Sequence, residues 1–334
     1  MKDLPPQNSR PERIHLHVGP LCNNDCVFCV EDDRELRFVV NAAMTESRTR
    51  ELLEAHQGTP EVYFTSGEPT LLEELPALGQ QARELGYGRI GLMTNGRRLG
   101  SPGYARDLLD AGFNAFLVGL HGPDAELHDR LVGREGAFDQ TVAGLRALLA
   151  GADDETRICT STVVVRPNVD RLGELYGLLA GMGVSAVRLD GLAARGRVLL
   201  AMDELFPSYE QLQGQIRAIL AEGLAPGTEL ELANLPPCIT VEFEPHHVRK
   251  LAEYTSFEVE DGSPSPLARS VGKTSADGRF RILEAGRIDA QGRVKGEPCG
   301  GCRYEPTCQG VYESYAARHG WGEFVPVPPA SDLH

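Results

Sequence analysis

Apolar residues along this chain recur in short runs separated by longer amphipathic stretches, a pattern that predicts strands alternating with helices. The first run, Ile14 to Val18, alternates apolar residues with His15 and His17 and reads as a strand with both histidines as packing residues. Thr45 to His56 reads as a helix, with Thr45 as N-cap ahead of Glu46. Val62 to Thr65 is the next strand and runs straight into Ser66-Gly67-Glu68-Pro69-Thr70. Ile90 to Met93 ends in Thr94-Asn95-Gly96, and a helix over Tyr104 to Ala111 follows. Ala115 to Leu120 ends at His121-Gly122, ahead of helices over Ala125–Leu131 and Phe138–Leu149. Arg157 to Val165 precedes a helix over Leu172–Gly181, and Ala186 to Asp190 is the sixth strand.

Strands alternating with helices imply an α/β fold with a parallel sheet and right-handed crossovers. Six such units suit an open, partial (β/α)6 TIM-like barrel better than a closed barrel of eight. Ligands gather at the C-terminal ends of strands in such sheets. Several chemically distinctive residues fall there: a cysteine loop after strand one, Ser66-Gly67-Glu68-Pro69 after strand two, Thr94-Asn95-Gly96 after strand three and His121 after strand four. Beyond the sixth strand the character changes. A helix is expected over Ser208–Glu222, a Pro/Gly linker over Gly223–Pro237, and a loop over Asp261–Asp277.

The formal charge of −15, with no Lys/Arg-rich run, argues against a nucleic-acid or anionic-membrane surface. No apolar stretch reaches the length of a membrane span, and the polar N-terminus has no signal core, so a cytoplasmic protein is expected. In a reducing compartment its eight cysteines point to metal ligation before disulfides.

Cys22, Cys26 and Cys29 stand in the order C-x3-C-x2-C within Leu21 to Val30. Three thiolates leave a zinc ion one ligand short, but they can hold three irons of a [4Fe–4S] cube and leave the fourth open. The competing reading pairs Cys26 and Cys29 with Cys299 and Cys302 as a zinc ribbon, which leaves Cys22, Cys238 and Cys308 without a role. The loop resembles the signature of the radical S-adenosylmethionine (SAM) superfamily, including the aromatic Phe28 before the last cysteine.

By that resemblance the open iron binds SAM. Ser66, Gly67, Glu68 and Pro69 match the family's GGEP, with Ser66 in place of the first glycine, and would bind its amino group. Thr94, Asn95 and Gly96 would lie near SAM, and Val118 to Gly122 resembles VSLHG with Gly119 in place of the serine. Arg166, Asn168 and Arg188, at or after strands five and six, are candidate substrate or SAM contacts with a surface role as the alternative; His121 and the strand residue Cys159 are candidate catalysts, with a satisfied rim residue and a small core residue as the alternatives. Cys238, Cys299, Cys302 and Cys308 resemble the auxiliary-cluster domains called twitch or SPASM, with a zinc knuckle as the alternative. Four cysteines suffice for one further cluster, expected to be [4Fe–4S].

The resemblance implies a tail over 1–12, a radical SAM core over 13–200, a helix and linker over 201–235, and an auxiliary iron–sulfur domain over 236–334. It further implies reductive SAM cleavage, with ferredoxin or flavodoxin as electron donor. The resulting radical would abstract a hydrogen atom from a small-molecule or peptide substrate, with net oxidation. The residues before strand one are too few for a fused leader-binding domain, which weighs against a peptide maturase with redox-neutral chemistry. A non-enzymatic iron–sulfur electron carrier is the other alternative, though it would not need so many polar residues at one barrel mouth.

Overall fold

The computed structural model describes residues 12–19, 21–30, 46–248, 253–257, 281–284 and 292–329, with the backbone path alone at 46–48, 253–257 and 281–284. Thr45, the expected tail before Glu12 and the expected loop over Asp261–Asp277 lie outside the described residues.

Strand alternation sets the architecture. Strands β1 (Arg13–His17), β2 (Glu61–Thr65), β3 (Arg89–Thr94), β4 (Ala115–Gly119), β5 (Arg157–Val164), β6 (Ala186–Gly191) and β7 (Glu229–Ala233) lie parallel, each beside the next. One face carries Ile14, Leu16, Val62, Phe64, Ile90, Leu92, Phe116 and Val118, all buried in a single apolar core. The helices supply the other side of that core: α1 (Glu46–Ala55), α2 (Leu75–Glu84), α3 (Tyr104–Asp110), α4 (Ala125–Val132), α5 (Ala137–Gly151), α6 (Leu172–Met182) and α7 (Tyr209–Glu222). Each fully buried Leu, Ile or Phe contributes about 1.5–3 kcal/mol, so this face carries the stability.

The opposite face is polar. His15 is in register with Tyr63, His17 with Thr65, Cys159 with Leu117, and Arg188 with Ser161 and Glu231. His15 and His17 therefore line the inner face, where His15 is buried against Tyr63 as a packing residue. The rings of His15 and Tyr63 are 5.8 Å apart.

The sheet is larger than the six expected strands. The stretch read as a linker contains β7, which pairs with β6 from Ala186↔Glu229 to Asp190↔Ala233. Strand β8 (Glu253–Phe257) lies parallel to β1 on its free side, and β9 (Arg281–Glu284) runs antiparallel to β8. The full order is β7-β6-β5-β4-β3-β2-β1-β8-β9, with β7 and β9 at opposite edges, so the barrel is partial. A separate hairpin, β10 (Arg293–Val294) with β11 (Val311–Tyr312), precedes α8 (Glu313–His319). Tyr315 of α8, fully buried, packs its ring 4.8 Å from Tyr209 and 5.0 Å from Phe206 and so seats this segment on the start of α7.

Helix α5 fixes the turn after β3. A Cβ on Gly144 would lie 2.2 Å from the Gly96 carbonyl oxygen and 3.0 Å from Leu99 Cβ. Gly144→Ala should therefore push α5 off that turn and destabilise the fold by about 1–3 kcal/mol, read as a lower denaturant midpoint at unchanged slope.

Candidate functional site

The cysteine loop leaves β1 at the C-terminal end of the sheet, and four separate elements hold it. Leu21 accepts a hydrogen bond from Glu68 N at 2.7 Å. Asn95 Nδ2 donates to Asn23 Oδ1 at 2.6 Å, and Arg97 Nη1 donates to the Asn23 carbonyl at 2.5 Å and to Asn24 Oδ1 at 2.9 Å. The end of α4 receives Asp25 N at Val132 O and Val27 N at Leu131 O. The turn after β6 closes the fourth side: Arg197 Nη1 donates to the carbonyls of Asp25 and Cys26, and its Nη2 pairs with Asp25 Oδ1 at 2.8 Å. Gly196, at φ +54°, sits so close that a Cβ would meet Cys29 O at 2.5 Å.

Asn23, Arg97, Gly196 and Arg197 escaped sequence reasoning. Within the sequence Arg97 and Arg197 look like ordinary turn cations, and only the fold brings them to the loop.

Cys22, Cys26 and Cys29 are all half-buried and form no disulfide. Burial, then the neighbouring Cys29 and Cys22, push the Cys26 thiol up to about 12, so the three sulfurs form one group. Among the described residues no group of three or more His, Cys, Asp or Glu side chains is spaced to hold a single metal ion. An iron–sulfur cube takes its thiolates at separate corners, and three sulfurs on one loop fit that larger body with one corner left open.

The turn after β2 faces this loop. Ser66 has φ +74° and Gly67 φ +55°, so the serine holds a left-handed conformation that suits glycine. Glu68 is buried, and its carboxylate accepts four hydrogen bonds. Oε1 receives Thr70 N, Thr70 Oγ1 at 2.6 Å and Thr94 Oγ1 at 2.5 Å; Oε2 receives Asn95 N at 2.6 Å. Burial raises this carboxyl above its ordinary value, against the pull of those donors. Pro69 opens a single 3-10 turn over Pro69–Leu71, and the full helix α2 starts only at Leu75. Thr94 thus serves Glu68, Asn95 serves both Glu68 and the cysteine loop, and Gly96 donates its N–H to Thr94 Oγ1. Asn95 Oδ1 also accepts from Arg97 N, and Asn95 O from Thr141 Oγ1.

His121 lies beneath the loop, its ring 4.7 Å edge-on from Phe28 and stacked 5.8 Å from His128. Its Nδ1 accepts from Val163 N, and His128 Nδ1 accepts from His121 N. Gly119 makes room for it, since a Cβ there would lie 3.2 Å from His121 Nε2. The replacement of serine by Gly119 therefore has a packing reason. Asn168 closes the same corner, donating from Nδ2 to the carbonyls of His121 and Val163 and accepting Val165 N at Oδ1. Arg166 clasps Phe206 O.

Arg188 and Cys159 face the lumen, where a cavity of about 430 Å³ occupies the half nearest the strands' N-terminal ends. Arg188 Nη2 pairs with Glu231 at 2.8 Å, and Asp190, one rung nearer the mouth, accepts Ser161 Oγ at 2.6 Å. Burial raises the Cys159 thiol, which keeps it protonated.

The C-terminal cysteines also meet. Cys238, Cys299, Cys302 and Cys308 line one small cavity under Phe324. Burial, then Cys308, Cys302 and Cys299, push the Cys238 thiol up to about 12. Two sulfurs accept backbone hydrogen bonds, Cys308 from Gly310 N and Cys302 from Val327 N.

Two outcomes follow from this geometry. Burial lowers His121 to about 3 and His128 to about 4, so the fold holds both rings neutral while the unfolded chain protonates near 6.5. Their stabilising effect is present above 6.5 and is lost as pH falls toward those values. Between pH 7.5 and 5.5 the unfolding free energy should drop by roughly 2–3 kcal/mol, and His128→Gln should about halve that drop. An undiminished slope in the variant would assign the pH dependence elsewhere. Ser66→Gly should relieve backbone strain and leave stability equal or raise it by up to about 1 kcal/mol, while Ser66→Val should lower it by more than about 1 kcal/mol, both read from denaturant midpoints.

Comparison with known proteins agrees with this arrangement. The chain is 28% identical over 205 residues to an AdoMet-dependent heme synthase of Methanosarcina barkeri (strain Fusaro / DSM 804), covering 60% of this chain and 56% of that one. It is 27% identical to a probable GTP 3′,8-cyclase of Saccharolobus islandicus (strain M.14.25 / Kamchatka #1), over 58% of this chain and 61% of the relative. The chain spans about half the length of the curated relatives it matches. Among solved structures, Streptococcus suis SuiB bound to S-adenosylmethionine superposes with a TM-score of 0.63 at 12% identity, over 97% of this chain and 77% of SuiB. Native anSMEcpe with bound AdoMet superposes with a TM-score of 0.61 at 13% identity, over 93% and 96% of the two chains. At such identities these two share the fold. The sequence profile of the Radical SAM superfamily matches residues 16–187, which is over half of the chain and runs from within β1 to within β6. That span contains the cysteine loop and every element that clamps it except the turn after β6, and the chain belongs to the radical SAM superfamily.

Proposed function

We propose that this enzyme cleaves SAM reductively at a cluster held by Cys22, Cys26 and Cys29 and uses the product to remove a hydrogen atom from a substrate in the lumen. The observation that carries this reading is the direct linkage of the cysteine loop to the turn after β2 and the end of β3, through Leu21 O with Glu68 N and Asn23 Oδ1 with Asn95 Nδ2. The family uses a [4Fe–4S] cluster and SAM. When bound, they supply a one-electron cleavage that yields methionine and a 5′-deoxyadenosyl radical.

The chain's own part is to bind and to orient. Ser66, Gly67, Glu68 and Pro69 form the ledge for the amino group of SAM. The Glu68 carboxylate already carries four hydrogen bonds, so the ledge's backbone takes the larger share of that contact. Asn95, with Thr94 beside it on Glu68 and Gly96 N on Thr94, holds the ledge to the loop, and Arg188 belongs to the lumen wall. His121, with Nδ1 engaged and its ring against Phe28, braces the loop. Cys159, a protonated thiol in the cavity wall, is a hydrogen-atom donor only for the redox-neutral alternative, in which the substrate radical takes up a hydrogen atom and passes no electron to the C-terminal cysteines.

The C-terminal segment serves as an auxiliary domain of the twitch/SPASM type. Its four cysteines line one cavity, which favours a cluster with all four corners taken. Such a cluster accepts electrons and does not ligate substrate, so the net reaction is an oxidation. The electron donor is a ferredoxin or flavodoxin, and the setting is the reducing cytoplasm. Among the described residues no helix is long and apolar enough to cross a membrane. A metabolite-sized substrate fits the lumen cavity of about 430 Å³. A peptide is the second reading, since the fold neighbours include SuiB bound to precursor peptide SuiA.

Replacing Cys22, Cys26 and Cys29 together with alanine should abolish SAM cleavage while iron remains bound at the C-terminal cysteines. Anaerobic reconstitution, iron and sulfide analysis and detection of 5′-deoxyadenosine read this out. Undiminished 5′-deoxyadenosine from the triple variant would refute the assignment, and complete loss of iron would merge the two sites into one.

A further inference from the structure

The floor of the lumen is built from charge. Arg13, Arg89, Arg157 and Arg188 line the cavity together with Glu61 and Glu231, so the described wall carries two more positive than negative groups in a chain whose formal charge is −15. The strand ends explain the placement. Arg13, Glu61, Arg89 and Arg157 are the first residues of β1, β2, β3 and β5, and all sit on the inner face.

All four guanidinium groups pair with a carboxylate, three of them at hydrogen-bond distance and the fourth, Arg89, more loosely and with its side chain 36% exposed. Arg13 pairs with Glu61 at 2.6 Å. Arg157 bridges Glu229 and Glu231, both at 2.7 Å. Arg188 meets Glu231 at 2.8 Å. Arg89 differs: its Nε stands 3.6 Å from Glu61, beyond hydrogen-bond range, and its Nη1 is buried with no hydrogen-bond partner. A buried guanidinium N–H without an acceptor costs more than an unpaired neutral donor, and a guanidinium offers a planar fork matched to carboxylate or phosphate. Arg89 is the most loosely paired cation of the cavity and keeps one donor, Nη1, without an acceptor, so it is the guanidinium best placed to take an added anion.

We propose that the lumen floor binds the anionic end of the substrate, a small molecule bearing a carboxylate or phosphate group, with Arg89 as its primary anchor. This deepens the proposed function and rests on the substrate lying in the lumen. Four residues separate Glu61 from Thr65, about 13 Å of strand. A substrate anchored at Arg89 therefore points its far end along Cys159, Ser161 and Asp190 toward the cysteine loop. The charge of the floor selects by sign, and the carboxylate partners offset the mutual repulsion of the arginines. The net charge of −15 on the chain disfavours anions elsewhere, so the selection is local to the lumen.

Anaerobic calorimetry on the reconstituted full chain at low ionic strength, without SAM, tests this with inorganic phosphate and succinate as probes. Saturable binding of at least one probe is expected, weakened at least tenfold in Arg89→Gln and unaltered in Arg106→Gln, a surface arginine paired with Asp110 on α3. Tighter phosphate assigns a phosphorylated substrate, and tighter succinate a carboxylated one. Should Arg89→Gln fail to fold, Arg89→Lys decides, because an ammonium cannot reproduce the planar fork and a several-fold loss is expected. Absence of saturable binding of both probes, or equal affinity in wild type and the Arg89 variant, overturns the proposal. Because binding is measured without SAM, a failure of SAM cleavage in the wild type would count against the enzymatic reading alone.

Discussion

A buried carboxylate organises the upper end of this barrel. Glu68 leaves β2, accepts the turn that follows it, and takes both Thr94 Oγ1 and Asn95 N from the end of β3. Removing an ionisable group from water is unfavourable unless its acceptors are filled, and Glu68 is stabilised there because four donors converge on it. The same Asn95 then reaches Asn23, and Glu68 N itself reaches Leu21 O. The cysteine loop, the turn after β2 and the end of β3 are thereby one hydrogen-bonded unit. Apart from Phe28 and Val27, which pack into the core, the loop has little apolar surface with which to hold a position. Here the position comes from its neighbours.

The remaining clamps share a logic. Arg97 and Arg197 approach the loop from opposite sides and donate to its carbonyls, while Gly196 and Gly133 permit approaches that a side chain would block. Guanidinium groups suit this work because one planar donor set can serve several acceptors at once. The positive charge also lies beside thiols that give up protons when they bind metal, which favours the loaded form of the loop.

Much of the architecture was legible in the sequence because the outer strand face must be apolar to lie beneath helices. Runs such as Val62-Tyr63-Phe64 and Ile90 to Met93 therefore declare themselves, and the distinctive residues at their ends fall where parallel sheets place ligands. The inner face was not legible. Its residues are polar because they line a lumen, and polar residues next to apolar ones also describe an exposed face. His15 and His17, read as packing residues, gave no sign of which face of the sheet they would occupy. Strand β7, Glu-Leu-Glu-Leu-Ala, was hidden by the Pro and Gly residues around it, and the charges at the starts of β1, β2, β3 and β5 resemble ordinary solvated strand ends. Only closing the sheet into a curve turns those ends into a cavity floor.

The position of Cys238 follows from the same strand. About sixty residues separate it from Cys299, which made it the least secure member of the C-terminal group on sequence grounds. The fold makes that separation irrelevant. Gly191, at the end of β6, lets Asn234 approach so closely that a Cβ would lie 2.5 Å from Asn234 O, and Asn234 Nδ2 donates back to Gly191 O at 2.6 Å. Asn234 takes φ +55°, turning the chain sharply as β7 ends, and Pro236 and Pro237 then stiffen the path into Cys238. Arg293, on the first strand of the C-terminal hairpin, donates to Asn234 Oδ1. One asparagine therefore joins the last parallel strand of the barrel to the hairpin between the cysteines, and it places Cys238 where the other three thiols meet. The barrel sheet positions one thiol and the C-terminal segment the other three, so any movement of that segment against the sheet would change the geometry of the whole group.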